Sequence, residues 1–244
     1  MTDVGLDSVR KRLPADSIER AEVASDNSAI YVWDRVVRST HWLIAGSIVV
    51  LAFTGWYIGR PFVTTTQNAE PFVTGTMRMI HFYTSIVFTL AVISRVIWAF
   101  ISPLPYARWY ELIPVHKHQI KAFWDTFLFY TFIKRKPPAI AGHNPLAGAT
   151  YALVYVLYGV IILTGLGIYG SAAGPDSWMH HFAFLASWFG GLQMARWYHH
   201  WSMWIVLMFL VVHLYAAVLT TRIAKNGSID SIFSGFKFLP KRHK

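Results

Sequence analysis

The chain has 244 residues, of which 55% are hydrophobic and only 14% are charged, and its formal net charge is +10. Soluble domains carry about a quarter charged residues, so this composition excludes a soluble enzyme and an intrinsically disordered protein. The sequence contains no cysteine. That absence excludes disulfides, thiolate metal sites, iron–sulfur clusters and covalently attached c-type haem.

Four long apolar runs follow one another along the chain. They cover residues 40–59, 77–101, 146–169 and 197–221, and each is near or above the ~18–20 residues that cross a bilayer. The sequence therefore predicts an all-α fold, an integral membrane four-helix bundle. We expect the membrane domain to span residues 31–238, between an N-terminal tail at 1–30 and a basic C-terminal end at 239–244.

Positive charge alternates between the segments that connect these runs. Eighteen of the 22 Lys and Arg residues lie in segments 1–39, 102–145 and 222–244, whereas three lie in 60–78 and 170–196. Basic residues concentrate on the cytoplasmic side of membrane proteins. The pattern predicts a multi-pass protein of the bacterial inner membrane with both termini in the cytoplasm. It also explains the surplus charge without a nucleic-acid partner.

The long cytoplasmic connection at 102–145 contains a further helical pattern. Residues 120–133 carry Phe123, Phe127, Leu128 and Tyr130, and the basic residues 134–136 follow them. An amphipathic segment of this kind is typical of a helix that lies in the membrane interface.

Five histidines lie in or at the ends of the predicted membrane helices: His41, His81, His199, His200 and His213. Polar residues inside a bilayer are costly and are usually functional. Residues fourteen apart on a helix share a face within about 40° and are separated by about 21 Å along its axis. His199 and His213 have this spacing, whereas His200 lies about 140° away from His213 and is interpreted as a structural residue.

The predicted topology places these histidines at matching depths. His81 and His199 lie near the outer surface, and His41 and His213 lie in the inner half. Two facing imidazoles in a helical bundle are the axial ligands of a b-type haem, so the pattern predicts two haems. Hydrogen-bonded packing histidines are the alternative, and zinc or iron without a porphyrin is disfavoured because no carboxylate or thiol accompanies either pair.

Arginines precede three of the four ligand candidates by one helical turn. They are Arg38, Arg78 and Arg196, before His41, His81 and His199. A guanidinium at this position suits a haem propionate, although arginines at helix ends also serve as simple topology anchors.

Two glycine-rich segments end the first and third membrane helices. These are Thr54-Gly55…Gly59 and Thr164-Gly165…Gly170. Glycines permit the close approach of a flat macrocycle or of a neighbouring helix, and both interpretations stay open.

Several short motifs resemble a known family when they are taken in order. The resemblance covers residues 31–238 and rests on Val36–Trp42, Arg78–Phe82, Glu111–Val115, Gly142–Ala147, His199 with His213, and Ser228–Lys237. The family is the b-type cytochrome subunit of membrane-bound nickel–iron uptake hydrogenases. The resemblance implies a dihaem cytochrome b with His41, His81, His199 and His213 as the haem ligands.

The resemblance also implies partners. Such a subunit anchors a periplasmic hydrogenase, made of a large subunit and an iron–sulfur small subunit, and passes electrons from it to the membrane quinone pool. The chain itself is then an electron-transfer subunit, and substrate oxidation occurs in a partner chain. The alternatives are the same role for another periplasmic oxidoreductase, such as one acting on formate or thiosulfate, and a haem-free transporter with a histidine proton relay.

A quinone takes up protons when it is reduced, so its site needs polar or titratable groups. His143 and Asn144 precede the third membrane helix on the predicted inner side. A histidine titrates in the range needed to relay protons. These two residues are the candidate quinone site, and a simple helix cap is the alternative interpretation.

Overall fold

The computed structural model describes residues 27–62, 72–111, 117–134, 145–224 and 227–240. In chain order its helices and strands are β1 (Asn27–Tyr31), α1 (Arg35–Gly59), α2 (Val73–Ile101), α3 (Lys117–Tyr130), α4 (Pro145–Ala172), α5 (Phe184–Trp188), α6 (Leu192–Ala224), α7 (Ser228–Ser234) and β2 (Phe236–Pro240). Short 3-10 helices occur at Pro105–Ala107, Trp109–Glu111 and Trp178–Phe182.

Four of these helices, α1, α2, α4 and α6, are long and apolar enough to cross a membrane. The prediction of an all-α membrane bundle is therefore confirmed. Each helix extends beyond the apolar run that predicted it, most clearly α6, which begins at Leu192 and ends at Ala224. Hydropathy identifies only the part of a helix that lies in the hydrocarbon of the membrane. The helices are longer because their backbone hydrogen bonds continue into the polar interface.

The long helices carry large apolar side chains on their outward faces. Phe53 is 52% exposed, Leu90 59%, Val156 64% and Met208 64%. Such faces are unfavourable in water and favourable in hydrocarbon, because lipid tails are themselves apolar. This pattern agrees with a multi-pass membrane protein.

The chain divides into two compact units. We call residues 39–101 and 149–213 the bundle unit, which holds most of the four long helices. The described parts of 1–38, 102–148 and 214–244 form the second unit, which we call the terminal unit.

The core of the bundle unit receives side chains from all four long helices. Its members are Ile44, Phe88, Ala91, Val92, Val154, Tyr158 and Val206. Phe88 packs edge-on against Tyr158, with ring centres 5.1 Å apart. On α6, Val206 lies midway between His199 and His213. The core therefore separates the two depths at which the histidines lie.

A two-stranded sheet joins distant parts of the sequence in the terminal unit. β1 and β2 pair antiparallel, with Asn27 opposite Pro240 and Tyr31 opposite Phe236. The backbone of Gly235 accepts a hydrogen bond from Val32 and has φ 91°, a conformation that favours glycine. A Cβ at Gly235 would also lie 2.5 Å from the Tyr31 ring.

Helix α3 corresponds to the interfacial helix that the sequence predicted at 120–133, shifted toward the N-terminus. Ile120, Trp124 and Phe127 lie on one face of it and are 47%, 56% and 42% exposed. Within the terminal unit the Tyr130 hydroxyl lies 3.2 Å from the Thr220 hydroxyl of α6. An apolar exposed stripe is what a helix in the membrane interface presents, and that location stays a prediction.

Candidate cofactor site: two layers of paired histidines

The structure brings the four histidines together in two pairs inside the bundle unit. The ring centres of His41 and His213 lie 6.3 Å apart with an interplanar angle of 49°. The ring centres of His81 and His199 lie 6.4 Å apart with an angle of 59°. We call these the His41–His213 layer and the His81–His199 layer. The pairs are the same ones that helix spacing and depth predicted.

The ring spacing in both layers fits one metal ion between two imidazoles. Two imidazoles bound through Nε2 to opposite sides of one ion, with bonds of about 2 Å, have ring centres roughly 6.3 Å apart. Across the described residues, no group of three His, Cys, Asp or Glu side chains is close enough to hold a metal. A two-nitrogen ligand set suits an ion whose other four positions are filled by a porphyrin.

The His81–His199 layer fixes both of its imidazoles by hydrogen bonds at Nδ1. The Thr54 hydroxyl donates to the Val50 carbonyl at 2.7 Å, so its oxygen accepts from His81 Nδ1 at 2.8 Å. His81 Nδ1 therefore carries the proton, and His81 Nε2 keeps a free lone pair. This is the tautomer that a metal-binding histidine needs, held by the usual kind of outer partner.

The same arrangement repeats on the other side of this layer. The Thr164 hydroxyl donates to the Val160 carbonyl at 2.6 Å and accepts from His199 Nδ1 at 3.0 Å. The Ile161 carbonyl accepts from the same nitrogen at 3.1 Å. The two ligand candidates are thus held by equivalent threonines on α1 and α4.

Glycines adjoin both of these threonines and contact the imidazoles. A Cβ at Gly55 would lie 3.2 Å from His81 Cε1, and a Cβ at Gly165 would lie 3.2 Å from His199 Cε1. Gly167 and Gly170 instead adjoin backbone, since a Cβ at either would lie 2.7 Å from atoms of the 178–188 segment. Of the two interpretations left open by the sequence, close packing of chain segments holds for Gly167 and Gly170. Gly55 and Gly165 make room for the imidazoles.

The His41–His213 layer is bonded differently. His41 Nδ1 is buried and has no hydrogen-bond partner among the described residues. His213 Nδ1 lies 3.4 Å from the Tyr151 hydroxyl, and Phe209 stacks on the His213 ring at 5.6 Å. An unpaired buried nitrogen is unfavourable unless a bound group or water satisfies it. His41 Nδ1 therefore keeps a hydrogen-bonding capacity that the described residues leave unused.

The remaining predicted residues occupy varied positions. Arg78 and Arg196 are exposed, whereas the guanidinium of Arg38 donates to the Phe233 carbonyl and its buried Nε has no partner among the described residues. His200 is exposed and is not part of either layer. His143 and Asn144 lie outside the described residues.

Sequence reasoning missed the threonines and Tyr151 as parts of the site. A usable signal existed for the threonines, because Thr-Gly occurs at 54–55 and again at 164–165 near the ends of two membrane helices. A threonine hydroxyl in an apolar helix donates to the carbonyl one turn earlier, and its oxygen can still accept a hydrogen bond from a histidine on a neighbouring helix.

Comparison with known proteins places the chain among membrane cytochromes. Residues 32–235 match the family model described as prokaryotic cytochrome b561. A protein of Rhizobium leguminosarum bv. viciae named "Probable Ni/Fe-hydrogenase B-type cytochrome subunit" is 34% identical over 96% of this chain and 99% of its own length. A protein of Bradyrhizobium diazoefficiens with the same name is 35% identical over 88% of each chain.

A more distant relative has a closely similar name. The "Probable Ni/Fe-hydrogenase 1 B-type cytochrome subunit" of Escherichia coli (strain K12) is 29% identical over 85% of this chain and 90% of its own length. These matches confirm the resemblance that the sequence motifs indicated.

Proposed function

The chain belongs to the prokaryotic cytochrome b561 family, and from that premise we propose that it is the dihaem membrane subunit of a nickel–iron hydrogenase. Membership of a cytochrome b family implies a b-type haem. The names of relatives that match over most of the chain support a hydrogenase as the partner. The observation that carries the proposal is the presence of two imidazole pairs whose ring centres are 6.3 and 6.4 Å apart.

In this proposal His81 with His199, and His41 with His213, would hold two haems through their imidazole nitrogens. A bound haem supplies reversible one-electron chemistry at its iron. The protein holds the imidazoles in the required tautomer through Thr54 and Thr164, and the apolar bundle around them excludes water. Arg38, Arg78 and Arg196 are proposed contacts for the haem propionates, with Arg38 best supported because its buried Nε has no partner among the described residues.

The protein carries electrons from a hydrogenase to the membrane quinone pool in this proposal. Its two histidine layers lie fourteen residues apart on α6, about 21 Å along the helix axis, so they reach toward opposite surfaces of the bilayer. The charge distribution supports an orientation with both termini in the cytoplasm of a bacterial inner membrane. In this orientation the His81–His199 layer faces the periplasm, where the iron–sulfur small subunit binds together with the large subunit of the hydrogenase.

We propose that the quinone site lies on the inner side of the membrane, the side that the charge distribution predicts for the segment before α4. His143 and Asn144, which precede α4, are the proposed polar groups of this site. Lipid-dissolved quinone reaches such a position from the bilayer, and a histidine there exchanges protons with water at neutral pH.

The deciding experiment is purification of the complex from membranes through a tag on this chain. The purified material is assayed for haem b per chain, and the co-purifying proteins are identified. We expect two haems per chain together with the hydrogenase large and small subunits. Absence of haem b would overturn the cytochrome assignment, and a formate or thiosulfate enzyme in place of hydrogenase would overturn the partner assignment.

A further inference from the structure

Helix α2 carries a buried arginine within its membrane segment, six residues before the helix ends at Ile101. Arg95 is 7% exposed and shares its buried face with Phe88, Ala91, Val92 and Ala99. Among the side chains that the structure describes, Arg95 is the only charged side chain that is buried. A charge within the hydrocarbon thickness is costly and marks a functional position.

The position of Arg95 corresponds to that of His213. Arg95 follows His81 by fourteen residues, and His213 follows His199 by the same number. On a helix this interval returns to nearly the same face about 21 Å further along. His81 and His199 face each other in one layer. Equal steps along α2 and α6 from that layer therefore bring Arg95 to the depth of the His41–His213 layer.

The same interval occurs on the two remaining membrane helices. It relates His41 to Gly55 on α1 and Tyr151 to Gly165 on α4. One layer therefore consists of His81, His199 and two glycines. The other layer has His41 and His213 with Tyr151 and Arg95 on the two helices that lack a ligand there.

The surroundings of Arg95 support this placement. Tyr155 lies close enough to Arg95 to interact with its charge. Tyr155 is one turn beyond Tyr151 on α4, and the Tyr151 hydroxyl lies 3.4 Å from His213 Nδ1. Arg95 thus adjoins the helix segment that contacts a ligand candidate.

The His81–His199 layer has no equivalent charge among the described residues. The arginines nearest to it in sequence, Arg78 and Arg196, are exposed. Solvent weakens the field of an exposed charge far more than that of a buried one.

We propose that Arg95 sets the reduction potential of the haem held by His41 and His213 and raises it above that of the other haem. The inference rests on the proposed function. One-electron reduction lowers the net charge of a haem site by one, so a fixed positive charge nearby favours the reduced form. The difference directs electrons from the His81–His199 layer to the His41–His213 layer. Arg95 acts through its field and is not a ligand.

The test is a redox titration of the purified complex, followed by the reduced-minus-oxidised absorbance of the haems. The wild type is compared with Arg95→Gln and Arg95→Lys. Arg222→Gln is the matched control, since it removes an exposed arginine from the end of α6. We expect Arg95→Gln to lower one of two midpoint potentials and to leave the other unchanged. Arg95→Lys and Arg222→Gln should leave both near their wild-type values.

A second arm identifies the affected haem. In a His199→Ala background, which retains the haem of the His41–His213 layer, Arg95→Gln should lower the single remaining midpoint. If Arg95→Gln fails to assemble, Arg95→His replaces it, because its charge is lost as pH rises through the imidazole pKa. In that variant one midpoint should fall with rising pH more steeply than in the wild type.

The outcomes separate this inference from the proposed function. Two haems with midpoints unchanged by Arg95→Gln would overturn the role of Arg95 and leave the cytochrome assignment intact. If Arg95→Lys lowered a midpoint potential as much as Arg95→Gln does, the role of Arg95 would also be overturned, since lysine keeps the charge. A pH slope in Arg95→His equal to the wild-type slope would do the same. A wild-type complex without haem b would overturn the proposed function itself.

Discussion

The hydroxyl of Thr54 lies 2.8 Å from Nδ1 of His81. Because that hydroxyl already donates to the Val50 carbonyl, it accepts the imidazole proton and leaves Nε2 of His81 free. Thr164 has the same relation to His199. Two threonines on different helices thus prepare two histidines for the same chemistry. Each can be changed without removing a ligand.

Replacing Thr54 by valine keeps the shape of the side chain and removes the hydroxyl. We expect Thr54→Val to weaken haem binding in the His81–His199 layer by about 10–100-fold, the usual effect of losing an outer partner of a metal-binding histidine. Haem titration of the purified chain measures it. Thr54→Ser keeps the hydroxyl and is the control. Equal affinity in Thr54→Val and the wild type would show that the hydroxyl does not matter.

Gly55 and Gly165 should tolerate larger side chains poorly. A Cβ at Gly55 would lie 3.2 Å from His81 Cε1, so Gly55→Ala should displace the imidazole and reduce haem occupancy of this layer. The larger Gly55→Val should abolish it. Haem content per purified chain reports both effects. At Gly174 an added Cβ meets nothing within 4 Å, so Gly174→Ala should retain both haems, and full occupancy in Gly55→Val would refute the argument.

The paired histidines differ in expected effect from their neighbour His200. His81→Ala and His199→Ala should each reduce the haem content from two per chain to one. His200→Ala should retain two, because His200 is exposed and its Nδ1 is bonded within its own helix, to the Arg196 carbonyl. Haem extraction and quantification measures the number of haems per chain in each of the three variants. Loss of haem from His200→Ala but not from His199→Ala would reverse the assignment.

His143→Ala tests the proposed quinone site. Haem content should be unchanged, because the four ligand candidates lie elsewhere in the chain. Electron transfer from reduced protein to a water-soluble quinone analogue should slow, since a proton-exchanging group is lost. Stopped-flow oxidation of the haems measures the rate. The companion variant Asn144→Ala should show the same pattern, and an unchanged rate in both would remove these residues from the site.

The terminal unit should respond to alkaline pH through Lys237. Burial holds the pKa of Lys237 below its usual value of 10.5. The unfolded chain therefore binds the proton more tightly, and the free energy of unfolding of this unit should rise as pH rises from the folded pKa toward 10.5. Lys237→Met should lack that rise. Hydrogen exchange of the β1 and β2 amides at several pH values measures it, and identical pH profiles would contradict the assignment.

The sequence alone determined the four membrane helices and the grouping of their histidines. Lipid requires apolar side chains over a fixed length of helix, and the helical period decides which residues share a face. Both are local properties of consecutive residues. For that reason the spacing of His199 and His213, together with the alternation of positive charge, was enough to predict which imidazoles meet.

Only the tertiary structure decided what surrounds those imidazoles. Thr54 meets His81, which lies on a different helix, and Gly55 faces that imidazole, whereas Gly167 faces backbone. The pairing of β1 with β2 likewise joins strands at opposite ends of the chain. Local periodicity specifies the direction of a side chain on its own helix. The group that it meets depends on how separate helices pack, and that is settled by the fit of many side chains at once.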